Sequence, residues 1–170
     1  MYVKVIFSHG KESGPWGAKI KYLAGIAEQM GCQIDSIDYS DTLDPELRVE
    51  QLTGILSDDD PEVLLVGSSM GGYVSLVAAL EKPVKGIFLL APAVGMPGYS
   101  VQDYPVLCPV TCVHGWQDEI IPAENIMAFA KQQNATLHLI PGDHRLNDSL
   151  KAVGVLFKQF LFERLTDQAS

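Results

Sequence analysis

The sequence predicts an α/β protein, a three-layer α/β/α sandwich around a parallel sheet, and three observations point there. Short runs rich in Val, Ile, Leu or Phe alternate with longer stretches of helical spacing, separated by turns containing Gly, Pro or Asp. Alternation of that kind argues for parallel strands joined by crossover helices. Several of the strand runs are apolar throughout, as expected for strands covered by helices on both faces. The two irregular intervals, "SHGKESG" (8–14) and "APAVGMPGYSVQDYPVLCP" (91–109), each follow a strand, where sites are built in such sheets.

Taken in order, the first strand is expected at 3–8, leading into the glycine-containing loop to Gly14. A helix over 15–30 opens at Pro15, which suits a first turn, and stops at Gly31. A strand at 33–39 and a helix at 44–56 follow. "EVLLVG" then supplies a buried strand at 63–67, and "MGGYVSLVAALE" a helix at 70–80. The strand at 84–90 ends in the Pro- and Gly-rich interval, which excludes a long helix. A strand at 110–114, a helix at 123–133 and a strand at 136–140 lead to a last helix at 148–162. There Leu150, Val153, Phe157, Phe160 and Leu161 share one face, which is expected to lie on the sheet.

A chain of 170 residues, 47% of them apolar, suffices for one domain with its own core, taken as 1–170. The net charge of -9 opposes phosphate backbones and anionic lipid, so neither nucleic acid nor membrane is expected as a partner. No apolar run approaches the roughly 20 residues that span a bilayer, and "YVKVIF" leads into polar residues without a cleavage pattern, so a cytoplasmic location is expected. Cys32, Cys108 and Cys112 lack the second ligand pair of a zinc site and are read as buried free thiols, with no metal expected.

"VGSSMGG" carries the candidate nucleophile. Gly67-Ser68-Ser69-Met70-Gly71 fits G-x-S-x-G only with Ser69 at the centre, since Ser68 has Val66 and Met70 two positions away. Where a strand turns sharply into a helix, the central residue is strained and side chains two positions either side would collide with the turn. Ser69 would then stand at a helix N-terminus, where backbone N–H groups and the dipole favour developing negative charge. Ser68 is expected to face away and bond local backbone.

A serine hydroxyl needs a base, and the base an orienting acid. Of the four histidines, His138 falls within the strand "TLHLIP", and His9 and His114 each end a strand before Gly, which is reason enough for them. His144, in "PGDHRL", lies in the loop after the last strand, at the end of the sheet that faces Ser69, and is the candidate base. The acid should come from the loop after the preceding strand. "VHGWQDEIIP" offers Asp118, preferred for its short side chain and for the Ile-Ile-Pro that would bury the pair, and Glu119, a helix-start or pocket residue. Asp143 is read as a turn former.

With Ser69, Asp118 and His144 in that order, the sequence resembles the α/β-hydrolase superfamily, and most of all its small bacterial members without an inserted lid, the dienelactone-hydrolase-like group. "FSHGKESGP", "VGSSMGG", "LLAPA", "VHGWQDEIIP" and "GDHRL" occur in the family's order along almost the whole chain. The resemblance implies a six-stranded sheet in the order 2-1-3-4-5-6. It also implies an oxyanion hole from the backbone N–H of Met70 and of Lys11, with Gly10 or Glu12 as substitutes for Lys11. "GKES" is not a phosphate loop, because the required upstream glycine position holds Val5.

The expected reaction is acyl transfer through a Ser69 acyl-enzyme, requiring no cofactor. The expected substrate is a small acyl or alkyl ester or thioester, bound in an open cleft lined by Glu12, Met96, Pro97, Tyr99, Tyr104, Trp116 and Glu119. Two alternatives stand beside it: a catalytically silent binding scaffold, and peptidase, lactonase or acyltransferase chemistry on the same triad. A monomer or homodimer is expected.

Overall fold

The computed structural model describes residues 2–60 and 62–167 of the chain, so the ends of the expected 1–170 domain and Pro61 lie outside the described residues. Six strands, β1 (Lys4–Ser8), β2 (Gln33–Ile37), β3 (Val63–Ser68), β4 (Gly86–Leu90), β5 (Val110–Gly115) and β6 (Thr136–Ile140), pair in parallel in the order β2-β1-β3-β4-β5-β6. This is the expected order. Between them run α1 (Ala18–Gln29), α2 (Pro45–Ile55), α3 (Met70–Glu81) and α4 (Ala123–Gln133), and a short 3-10 turn leads into α5 (Leu150–Thr166).

The alternation of side chains across a strand sorts the core into two halves. Val5 and Phe7 of β1, Leu64 and Val66 of β3 and Phe88 and Leu90 of β4 pack under α1 and α5. Ile6, Leu65, Ile87 and Leu89 face the other way and pack under α2, α3 and α4. Phe157 of α5 sits against Phe7 and Phe88, with ring centroids 6.4 and 5.0 Å away. The chain leaves β1 toward β2 on one side and returns to β3 on the other. That reversal is a topological switch point at the carboxyl ends of β1 and β3, the place where open α/β sheets bind ligands.

Most boundaries shift by a residue or two, β4 starting at Gly86 and α5 at Leu150, and three of the shifts have a plain local reason. Pro15 precedes α1 instead of opening it: its carbonyl accepts from Ser36 Oγ at 2.5 Å, and the helix starts after Gly17, whose carbonyl takes the Lys21 N–H. β2 stops at Ile37 because the Tyr39 N–H is diverted to His9 Nε2 at 2.9 Å while Asp38 closes a turn on the Ser40 N–H. α5 runs past Phe162 to Thr166, with Arg164 in its last turn, where a cation suits the helix dipole. Cys32, Cys108 and Cys112 are free; Cys108 is only half-buried, and burial pushes its thiol up to about 11.

Candidate active site

At the junction of β3 and α3 the chain turns within one residue. Ser69 has φ 53° and ψ -118°, a region that costs a non-glycine residue about 1–3 kcal/mol and persists only where its surroundings impose it. The Ser69 N–H donates to the Leu90 carbonyl at 3.0 Å, and the Ser69 carbonyl accepts from the N–H groups of Ala93 and Gly72, both at 2.9 Å. A Cβ on Gly67 would strike the Gly71 carbonyl, and one on Gly71 would strike the Ser8 carbonyl at the end of β1. The two glycines therefore serve different ends: Gly67 admits the turn, and Gly71 lets α3 approach the neighbouring strand. Ser68 ends β3 half-buried, and among the described residues its hydroxyl makes none of the local backbone bonds expected of it.

His144 arrives from the loop after β6. Asp143 shapes that loop by accepting from the N–H groups of Arg145 and Leu146, both at 3.1 Å, and Lys19 Nζ on α1 ties it down at the Arg145 carbonyl, 3.0 Å away. His144 Nε2 lies 2.9 Å from Ser69 Oγ, and Nδ1 lies 2.8 Å from Asp118 Oδ2. Since a carboxylate only accepts, Nδ1 carries the proton and Nε2 is left to accept from the serine hydroxyl.

The Asp118 carboxylate is enclosed, with a side-chain exposure of 0%. Its Oδ1 accepts from the N–H groups of Ile120 and Ile121, both at 2.8 Å. The Ile-Ile pair was expected to shield it by bulk. Ile121 is buried but Ile120 is 61% exposed, so it is their backbone that holds the acid. His114, wholly buried at the end of β5, donates Nε2–H to the Ile121 carbonyl at 2.9 Å and lies 3.4 Å from Asp118 Oδ2. Burial lowers its pKa, which keeps the ring neutral. Gln117 joins the loops that carry Asp118 and His144: its N–H donates to the Gly142 carbonyl at 2.9 Å, and its Oε1 accepts the Gly142 N–H at 2.7 Å. A Cβ on Gly115 would strike the same Gly142 carbonyl. Sequence reasoning passed over His114 and Gln117, and the only signal for the loop contact was the pair of glycines ending "VHG" and "IPG".

Gly10 stands directly beside Ser69, a Cβ there lying 3.6 Å from Ser69 Cβ. His9 holds this loop. Its Nε2 accepts the Tyr39 N–H at 2.9 Å, so Nδ1 is protonated and donates to the Gly10 carbonyl at 2.8 Å. Burial lowers its pKa, in keeping with that neutral tautomer. Lys11 and Glu12 follow with exposed side chains. Met70 is buried as the first residue of α3, and among the described residues its N–H makes no backbone hydrogen bond.

The residues expected around the cleft separate into two groups. Trp116 and Glu119 are exposed on the loop after β5, as is Pro97 on the loop after β4. Tyr104 is buried beneath that loop, with its hydroxyl donating to the Val101 carbonyl at 3.1 Å and its ring against Phe129. Met96 and Tyr99 pack half-buried on the core, Tyr99 edge-on to Tyr73 at 4.7 Å. The tyrosines are drawn down by the apolar faces of α3 and α4, which the sequence alone does not place under the loop. Two surface grooves, one between α4 and β6 by Met127 and Leu137 and one by Val49 and Lys82, contain no residue of the Ser69 constellation.

The sequence model of the family described as "Uncharacterised protein family (UPF0227)" matches residues 4–104, from β1 to the loop before β5. A crystal structure of a member of the alpha/beta hydrolase superfamily from Xanthomonas campestris is 32% identical, with a TM-score of 0.87 over 94% of this chain and 98% of that one. The chain belongs to the α/β-hydrolase superfamily. Among other relatives of this hydrolase is the mitochondrial palmitoyl-protein thioesterase ABHD10 of Mus musculus, 24% identical over 85% of this chain and 69% of that protein. Est1E from Butyrivibrio proteoclasticus is 23% identical and shares the fold, with a TM-score of 0.76 over 98% of this chain and 89% of that one. No helix among the described residues of this hydrolase is long and apolar enough to cross a membrane.

Proposed function

We propose that this hydrolase cleaves a carboxylic ester or thioester of a small acyl substrate, with Ser69 as nucleophile, His144 as base and Asp118 as its orienting acid. The observation that carries the reading is the unbroken hydrogen-bonded line from Ser69 Oγ through His144 to an enclosed carboxylate. His144 Nε2 takes the hydroxyl proton as Ser69 Oγ attacks the acyl carbon. It then returns that proton to the departing alcohol or thiol, leaving an acyl-serine. Water, deprotonated by the same nitrogen, attacks the acyl-serine and frees the acid and Ser69. The N–H of Met70, without a backbone partner among the described residues, and that of Lys11 beside Gly10 serve as the oxyanion donors.

One property of the surroundings and the names of two similar proteins support an apolar acyl group. Trp16, Trp116 and Ile120 stand exposed on loops at the same edge of the sheet as Ser69. The mouse relative is a palmitoyl-protein thioesterase, and Est1E has been solved with ferulic acid bound. The test is a panel of p-nitrophenyl esters of rising chain length, acyl-thioesters and aminopeptidase substrates, alongside labelling with a fluorophosphonate probe. Ester or thioester turnover with the label on Ser69 is expected. Absence of both, under conditions that label a known serine hydrolase, would sink the proposal in favour of a silent binding scaffold. Turnover of the peptide substrates alone would replace it with peptidase chemistry.

A further inference from the structure

Arg48 is the largest fully buried side chain among the described residues, with an exposure of 0%, yet among those residues it has no carboxylate within ion-pair distance. Burying a charge without a counter-ion is costly unless hydrogen bonds compensate it. Here backbone carbonyls compensate it. Nε donates to the Thr42 carbonyl at 2.9 Å, Nη1 to those of Gly10 at 3.0 Å and His9 at 3.5 Å, and Nη2 to that of Lys11 at 3.1 Å. The guanidinium carbon lies 5.5 Å from the Tyr39 ring centroid, a cation–π contact on its remaining side. Three of the four carbonyls belong to consecutive residues of the loop that passes Ser69.

Within a trans peptide the C=O and N–H point in opposite directions. With the Gly10 carbonyl turned onto Arg48 and onto His9 Nδ1, the Lys11 N–H is turned away from both. The Lys11 carbonyl, drawn to Nη2, aims the Glu12 N–H likewise. The same bonds also align these peptide dipoles with a fixed positive charge behind them, which strengthens the N–H groups as donors. A buried arginine fork that reaches across from α2 to gather three successive carbonyls does what a lysine, with one compact charge, does less well.

We propose that Arg48 is a positioning residue for catalysis: it orients and polarises the backbone N–H donors of the loop after β1 toward the oxyanion formed on Ser69. It touches neither substrate nor reacting atoms. The proposal rests on the serine-hydrolase reading, and the test separates the two. Wild type, Arg48→Met and Arg48→Lys are each reacted with a fluorophosphonate, whose phosphoryl oxygen occupies the oxyanion position, and the labelling rate at Ser69 is measured across pH with folding checked by near-UV circular dichroism.

The expected result is a rate lowered about 10- to 100-fold in folded Arg48→Met, somewhat less in Arg48→Lys, with the saturation constant and the pH midpoint unchanged because His144 and Asp118 are untouched. An unlabelled wild type would overturn the serine-hydrolase reading itself. A labelled wild type with folded variants reacting within twofold of it would overturn the role of Arg48 alone. So would a displaced pH midpoint, which would locate the damage in the triad, and so would failure of both variants to fold, which would make the guanidinium a requirement of the fold.

Discussion

At the scale of single residues, Ser69 was legible because its constraint is local: the two glycines that admit the turn lie within the motif. The places of His144 and Asp118 were legible from chain order, since each sits in a loop at the end of the parallel sheet where β3 turns into α3. His9, Arg48 and His114 were not: His9 and Arg48 owe their places to partners far along the chain, Tyr39 and the loop after β1, and His114 to a turn that folds Asp118 and Ile121 back against its ring. A sequence displays a histidine's neighbours in the chain but not what its ring will face. Under the proposed mechanism Ser69→Ala lowers kcat about a million-fold. Asp118→Asn, which keeps the shape but offers Nδ1 a donor instead of an acceptor, lowers it about ten-thousand-fold. Steady-state kinetics on the best ester of the panel, with thermal melting to show intact folding, checks both.

At the scale of elements, strands and helices were legible from apolar periodicity, and their ends less so. Pro15 shows why. Its fixed φ suits a first helical turn, but a hydroxyl on β2 captures its carbonyl and delays α1 to Ala18. Contacts between elements also decide which glycines matter. Gly67, Gly71 and Gly115 each leave no room for a methyl group because another backbone segment already occupies the space. Gly71→Ala and Gly115→Ala are therefore expected to destabilise the fold by about 1–3 kcal/mol each. For a chain of this size that lowers the melting temperature by about 2–4 °C per kcal/mol. Gly25→Ala, in open space on α1, is the matched control and should leave it unchanged or raised. Calorimetry of the three variants decides the matter, and equal melting of Gly115→Ala and Gly25→Ala would contradict the packing argument.

At the scale of the whole molecule, two buried neutral histidines link stability to pH. The pKa values of His9 and His114 both lie below the ordinary 6.5, in each case chiefly through desolvation. Below that value the unfolded chain takes up protons that the folded one refuses, so stability is complete above pH 6.5 and falls as the pH drops from there toward the folded pKa values. Urea midpoints should be level above pH 7 and decline below 6.5. A His9→Gln, His114→Gln double variant should start lower and decline less over that interval, and an identical decline would assign the loss to other groups. The order of the sheet was legible at this scale too, because the family resemblance carried it. The ties between loops were not, since hydrogen bonds such as that of Gln117 to Gly142 depend on distances only the folded chain sets.

Those ties are unevenly shared. The loops bearing Asp118 and His144 are bonded to each other, and the loop after β1 is bonded to α2. The segment after β4 is fastened elsewhere: by Ala93 to the Ser69 carbonyl, by Ser100 to Glu46 and by Val101 to the Tyr73 hydroxyl. Between those pins, residues 95–99 make no hydrogen bond to Ser69, Asp118 or His144 among the described residues. Met96 and Tyr99 anchor the segment to the core, while Pro97 and Gly98 between them are exposed, so under the proposed mechanism exchanges at those two positions leave the line from Ser69 to Asp118 undisturbed.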